Sequence, residues 1–377
     1  MVEVLSCSDL HLGNFSTFNK ETDNHGIGSR LQERIDALYD FFKYGKEHDI
    51  KHYVFNGDIF NKRLKEDINV INYIIDNIVK SFSTTPKGSV LYMNVGNHDE
   101  SRLYLNPNSC ELFNHVHIPS HKIVIVNKLA QVISLDDDTN LLFIPYTEDI
   151  TNSKIKIREA LSSIDKPTTV FAHIGLDKSH TGRYKRGLGG SYTEKDIGYD
   201  NKQVLNIVLG HYHTRDFHKG KTNSKEKSVW YQGNLLPMTF NDVREDGLGD
   251  ERGFDVIDTK TGQHDFVDLC KDPYNYSTFN IIDLSNTKLS AEKINELAKN
   301  NYVKLVTPNK GKNELKEFNE ETNENLTMVV KPQVTNEDVD INISGNDSVA
   351  DILIKYCESK NISRTIQNLA LKILNDC

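Results

Sequence analysis

The sequence predicts a mixed α/β (α+β) fold: two β-sheets packed face to face with helices outside, followed by a small α+β unit and a helical tail. Three observations carry this. The first hundred residues alternate strand and helix, the stretch after residue 120 is dense in strands with few helices between them, and the pattern changes again near Pro273. A chain of 377 residues, 37% apolar and 26% charged, is long enough for two or three domains and at least one large core.

The elements follow in order. Residues 2–9 (VEVLSCSD) are a β-rich run that stops at a polar cluster, and residues 13–28 form a long polar loop. A helix is expected to start at Ser29, with Gln32 three residues on as a capping box, and to carry Leu31, Ile35, Leu38 and Phe42 as its apolar stripe. A strand at His52–Asn56, a helix over about 67–82 and a strand at 89–95 complete a β-α-β-α-β series, which implies parallel strands with crossover helices. Strands at 122–126, 131–135, 140–145, 169–173, 206–210, 228–232, 253–258 and 264–269 predict a second, mixed or antiparallel sheet. Strand 278–284, helix 290–299, strand 302–306, helix 313–320 and strand 326–331 make the small α+β unit. The expected divisions are 1–272, a capping unit at 273–332, a polar, acidic linker at 333–347, and a tail at 348–377. The tail holds two amphipathic helices, one with Val349, Ile352, Leu353 and Tyr356, the other with Ile366, Leu369, Ala370 and Ile373.

The net charge of −9 argues against a protein that coats nucleic acid through bulk charge. Five scattered cysteines without a CxxC pair fit neither a zinc knuckle nor a disulfide framework, and suit a reducing cytoplasm. No apolar run is long enough to span a bilayer and the N-terminus lacks signal-peptide features, so the expected location is cytoplasmic (host cytoplasm for a viral protein), with no membrane partner.

Five short polar motifs sit just past apolar runs: Asp9-Leu10-His11, Gly57-Asp58, Gly96-Asn97-His98-Asp99, Ala172-His173 and Gly210-His211-Tyr212-His213. Carboxyl ends of strands in α/β sheets converge on one crevice, so five such motifs can meet. Asp9 and His11, two apart on an extended segment, would share one metal; His211 and His213 can straddle a pair, with Asp58 as the natural bridge. Nitrogen and oxygen donors without thiolate favour Mn²⁺, Fe or Zn²⁺. Two cations about 3.5–4 Å apart can clamp a phosphate and stabilise a leaving oxygen. A turn explains any one of these motifs taken singly; the ordered conjunction of five does not arise that way.

The series SDLHLG, GDIF, GNHD, AHIG and GHYH resembles the calcineurin-like metallophosphoesterase superfamily, and within it the SbcD-type nucleases and related phage recombination endonuclease subunits. The segment from Gln232-Gly233-Asn234 to Phe240, then Glu251-Arg252-Gly253-Phe254, is similar to the family's stretch after the last histidine pair. The resemblance implies a two-metal DNA nuclease, exonuclease or endonuclease, with Mn²⁺ the expected ion. It implies that Asp9, His11 and His213 hold one metal and Asn97, His173 and His211 the other, bridged by Asp58, while His98 serves the scissile phosphate with Asp99 orienting its ring. It also implies an SbcC-like, SMC-type ATPase partner docked on residues 348–377, and a homodimer. Asn61 stands where many relatives carry a histidine linked to substrate handling. The loop KSHTGRYKRGLGG at 178–190 is a candidate DNA contact through Arg183, Lys185 and Arg186.

Two other classes remain open. A protein phosphatase or small-molecule phosphodiesterase would use the same centre, although protein phosphatases of this type usually read GNHE rather than GNHD. A non-catalytic scaffold for DNA ends would not need all seven ligands and His98.

Overall fold

The computed structural model describes residues 2–22, 26–63, 65–100, 107–136, 138–181, 186–188, 190–220, 227–307, 324–330, 349–359, 362–364 and 366–367. Two six-stranded sheets form the body. In the first, β1 (Glu3–Cys7), β2 (His52–Asn56), β3 (Val90–Asn94) and β4 (Lys122–Val126) run parallel, and β13 (Gly253–Asp258) and β14 (His264–Asp268) extend the β1 edge antiparallel. In the second, β6 (Asn140–Ile144), β7 (Thr168–His173), β10 (Val204–Gly210) and β12 (Ser228–Tyr231) are parallel, edged by antiparallel β5 (Gln131–Ser134) and β11 (Asp216–Lys219).

Strand alternation divides each strand between two cores. Tyr53 and Phe55 of β2 face the helix-side core, whereas Val54 joins Tyr92, Phe143, Phe171, Val208 and Trp230 between the sheets. Helices α1 (Ser29–Glu47) and α2 (Ile68–Phe82) cover the first sheet, α2 burying Val70, Ile74, Ile78 and Phe82 at four-residue spacing. Helix α3 (Ile150–Ser162) contributes Ile157 to the core of the second. The order is therefore helix, sheet, sheet, helix, as the sequence predicts.

Several local expectations are corrected. Residues 122–126, 253–258 and 264–269, expected in the second sheet, complete the first, because β4 continues the parallel series beside β3 and β13 pairs back onto β1. The Ser29–Gln32 capping box does not form. Gly28 is the N-cap without a side-chain bond, the Ser29 hydroxyl accepts from Lys20 N–H, and Gln32 bonds Asp36 one turn on. Helix α3, strand β11 and the short hairpin of β8 (Ser179–Thr181) with β9 (Arg186–Leu188) were not anticipated.

Strands β15 (Phe279–Asp283), β16 (Tyr302–Thr307) and β17 (Leu326–Val330) form a three-stranded sheet backed by α4 (Ala291–Asn300) over Ile282, Ile294, Val303 and Leu305. Residues Met1–Val306 and Lys312–Val329 make one compact unit; Thr307–Gly311 and Val330–Cys377, with α5 (Val349–Ser359), make another. The expected helix 313–320, the linker 333–347 and the tail positions Leu369, Ala370 and Ile373 lie outside the described residues. Among the described residues, no helix is long and apolar enough to cross a membrane.

Candidate metal centre

The carboxyl ends of β1, β2, β3, β7 and β10 bring Asp9, His11, Asp58, Asn97, His173, His211 and His213 together. Their donor atoms fall into two groups around Asp58. On one side, His11 Nε2 is 3.7 Å from Asp58 Oδ2, 3.9 Å from Asp9 Oδ1 and 3.1 Å from His213 Nε2. On the other, His173 Nε2 lies 3.3 Å from Asp58 Oδ1 and 3.1 Å from Asn97 Oδ1, which is 2.8 Å from His211 Nδ1. The two oxygens of Asp58 therefore face different donor groups.

Backbone geometry makes this convergence. Asp9 and His11 are not extended: their φ values are 50° and 44°, in the left-handed region, as are Asp58 at 53° and His211 at 87°. Ladder-like bonds hold these turns, from Asp9 N–H to the Gly57 carbonyl (3.0 Å) and from His11 N–H to the Asp58 carbonyl (2.9 Å). The Asp58 carboxylate accepts from His98 N–H at 2.7 Å, and Asp9 from His211 N–H at 3.1 Å.

The electrostatics call for positive charge. Burial pushes Asp9 up, while Asp58, despite burial, is held far below the carboxylate range by His173 and His11. Burial also opposes charge on His173, yet Asp58, Asp9 and the Asn56 carbonyl push its ring up to about 10. Burial, then His173, pushes His211 down to about 4.

The donors fit cations. Ligand atoms about 2.1 Å from one ion stand roughly 3.0–3.4 Å apart for octahedral or tetrahedral angles, near the observed 2.8–3.9 Å. Among the described residues, His11 Nδ1 is buried without a hydrogen-bond partner, which leaves Nε2 as the nitrogen that faces the other donors. Asp9 with His11 and His213, and Asp9 with Asp58 and His173, each form a compact donor group; His11, Asp58 and His98 form a third.

His98 is half-buried, with its ring edge-on to His11 at 4.7 Å. Asp99, expected to orient that ring, does something else. Its carboxylate accepts from the N–H groups of Ile59, Phe60 and Gly96, which ties the Asp58 turn to the Asn97 turn. The ring of His98 is instead held at Nδ1 by the Asn61 carbonyl, 2.7 Å away. A carbonyl only accepts, so Nδ1 carries hydrogen and Nε2 is the atom that exchanges a proton.

The calcineurin-like phosphoesterase family model matches residues 2–215. The chain belongs to that family. A calcineurin-like phosphoesterase is a metal-dependent hydrolase, and the clustered aspartates and histidines suggest two divalent ions. Among solved structures, a dimetal phosphatase from Danio rerio is similar at 10% identity, over 68% of this chain and 91% of its own, with a TM-score of 0.42. A second structure is similar at 11% identity, over 71% and 98%, with a TM-score of 0.43. No curated protein sequence matches the chain.

Sequence reasoning missed three groups around this phosphoesterase centre. Arg34 is buried on α1 and donates to the carbonyls of Leu10 (2.9 Å), Leu236 (2.9 Å) and Pro237 (3.0 Å), clamping the turn that carries Asp9 and His11. An arginine beside Ile35 within the apolar stripe was its signal. Tyr146, past the end of β6, stacks on His211 at 5.9 Å. The Asn61 carbonyl has no side-chain signal at all. Of the proposed DNA contacts, Arg183 and Lys185 lie outside the described residues, as does the side chain of Arg186.

Proposed function

We propose that this chain is a two-metal DNA nuclease of the SbcD type, hydrolysing phosphodiester bonds as the nuclease subunit of a repair or recombination complex in the cytoplasm. The observation that carries the reading is the division of Asp58, one oxygen toward His11 and the other toward His173. Asp9, His11 and His213 would hold one ion and Asn97, His173 and His211 the other, with Mn²⁺ as the expected metal. Bound ions supply Lewis acidity to the phosphate ester. The protein's own part is to hold His98 by the Asn61 carbonyl, so that protonated Nε2 can give its proton to the leaving oxygen. Asp99 positions the turn on which His98 stands. The partners in this reading are DNA, a second copy of the chain, and an SMC-type ATPase bound through residues 348–377. The amphipathic stripe of α5, with Tyr356 exposed, supports the last of these.

The test offers single- and double-stranded DNA, a chromogenic phosphodiester and a phosphomonoester to the protein with Mn²⁺. DNA cleavage that falls by about 10²–10⁴-fold in His98→Ala, with both ions retained, is the expected result. Phosphomonoester turnover alone would assign a phosphatase, and no turnover at all a scaffold.

A further inference from the structure

Beside the small sheet lies a cleft of about 640 Å³, lined by Thr17, Phe18, Phe240, Asn241, Phe279 and Lys304, and by Glu324, whose carboxylate is paired with Lys20 at 2.8 Å. Its volume is that of a small-molecule site. Phe279 is buried, whereas Phe18 and Phe240 are half-buried, their rings T-shaped at 5.7 Å. Phe18 also meets Tyr302 at 5.1 Å, so these rings are held by packing. The ammonium of Lys304 stands 4.2 Å from the centroid of Phe240. Asn241 adds an exposed carboxamide and Thr17 an exposed hydroxyl at the edge.

Each feature selects part of a ligand. Fixed ring faces take a flat π system, the ammonium takes an anion, and a carboxamide pairs with a heteroatom edge. A plain hydrocarbon would leave the Lys304 ammonium with the Phe240 ring in place of an anion, and free phosphate would ignore the rings. A planar heterocycle carrying a phosphate uses all three.

The cleft is also tied to the metal centre. Arg30 donates to the carbonyls of Thr17 (3.3 Å) and Met238 (2.7 Å), one on each wall. Arg34, one turn along α1, joins the same 236–237 segment to Leu10. Asn234, whose N–H bonds the His213 carbonyl at 3.1 Å, is six residues from Phe240. That chain spans at most about 20 Å, roughly six base steps at 3.4 Å each along a strand.

We propose that this cleft binds one unpaired nucleotide of the DNA strand whose phosphodiester lies at the metal centre. The proposal deepens the nuclease reading and rests on it for the identity of the strand. It is tested by the fluorescence anisotropy of a labelled single-stranded oligodeoxythymidylate, titrated with the full chain in chelator so that nothing is cleaved. Phe240→Ala and Lys304→Gln should each weaken binding on the order of tenfold, and thymidine monophosphate should compete better than thymidine or inorganic phosphate. Lys304→Gln and Asn241→Ala, at accessible positions, carry the test if Phe240→Ala lowers the melting temperature. Unaltered binding in these variants, or phosphate competing as well as the nucleotide, overturns the proposal. DNA hydrolysis with Mn²⁺ is measured on the same proteins. Hydrolysis with unaltered binding leaves the nuclease and removes the cleft, whereas nucleotide binding lost in the variants without any hydrolysis keeps the cleft and removes the nuclease.

Discussion

The donors around Asp9, His11 and His213 differ from those around Asn97, His173 and His211 in how they are held. In the first half two donors, Asp9 and His11, stand on left-handed backbone, against one, His211, in the second, and each such residue costs about 1–2 kcal/mol. The turn is fixed from outside by the Arg34 guanidinium. His11 has one ring nitrogen without a partner among the described residues, and His213 is a third exposed. In the second half, His173 ends a regular strand and both its nitrogens are engaged, Nδ1 by the Asn56 carbonyl at 2.8 Å. Its room comes from missing side chains: a Cβ on Gly57 would lie 2.1 Å from His173 Nδ1, and one on Gly210 would lie 2.7 Å from it. One half is clamped by an added group and the other is shaped by absent ones, so each should fail to a different substitution.

Asp58 belongs to both halves, and its loss should be the largest effect. Asp58→Asn is expected to lower turnover by at least about a thousandfold and to release both ions, as read by metal analysis after dialysis. Retention of one tightly held ion would mean that the halves are independent. Gly57→Ala should act chiefly on the second half, where its methyl group meets His173, although the Gly57 carbonyl also holds Asp9 N–H. It puts a methyl group into the His173 ring at a φ of 93°, and backbone strain with overpacking costs about 1–3 kcal/mol or more. The expected outcome is a lower melting temperature and one bound ion in place of two. Two ions in that variant would remove the distinction.

The sequence reveals these halves unequally. The gathering of these seven side chains was legible because each closes an apolar run, and strand ends converge by geometry. The α/β layering was legible for the same reason, since periodicity changes from 2 to 3.6 along the chain. What was not legible depends on tertiary contact. Periodicity cannot say which sheet a strand joins, so β4, β13 and β14 were assigned to the wrong one. An Asp-x-His motif looks the same whether extended or left-handed. Asp99 follows His98 in sequence, yet its carboxylate serves three backbone N–H groups, and the ring of His98 depends on a carbonyl 37 residues away. The capping box failed because Ser29 lies inside the helix and its hydroxyl is used by Lys20.

Arg34 offers a smaller and more selective test of the first half. A guanidinium keeps its proton in proteins, although burial and then Arg30 weigh against charge here. Three carbonyls depend on it. Arg34→Met should reduce affinity for the first ion about 10–100-fold, the range for groups that hold ligands rather than bind metal, and leave the second nearly unchanged. Arg34→Lys, with one ammonium for three carbonyls, should recover part of the loss. Isothermal titration resolves the two affinities, and an equal drop in both would mean that the clamp acts on the whole cluster.

The mildest effect should come from pH and should belong to the second half. In protein stripped with chelator, His11 is pushed well down by burial and stays neutral, whereas His173 is raised from 6.5 to about 10, Asp58 and Asp9 overcoming its burial. A histidine raised in the folded state stabilises fully below its unfolded value and loses that contribution as pH rises through the folded one. The stripped protein should therefore melt at progressively lower temperature between pH 6.5 and about 10. An ion entering the second half must displace that proton, so its affinity should rise by up to about tenfold per pH unit across the same window. His173→Asn should flatten both dependences. A melting temperature already flat in the wild-type chain would mean that another group balances Asp58, and the charge argument for the second half would fail.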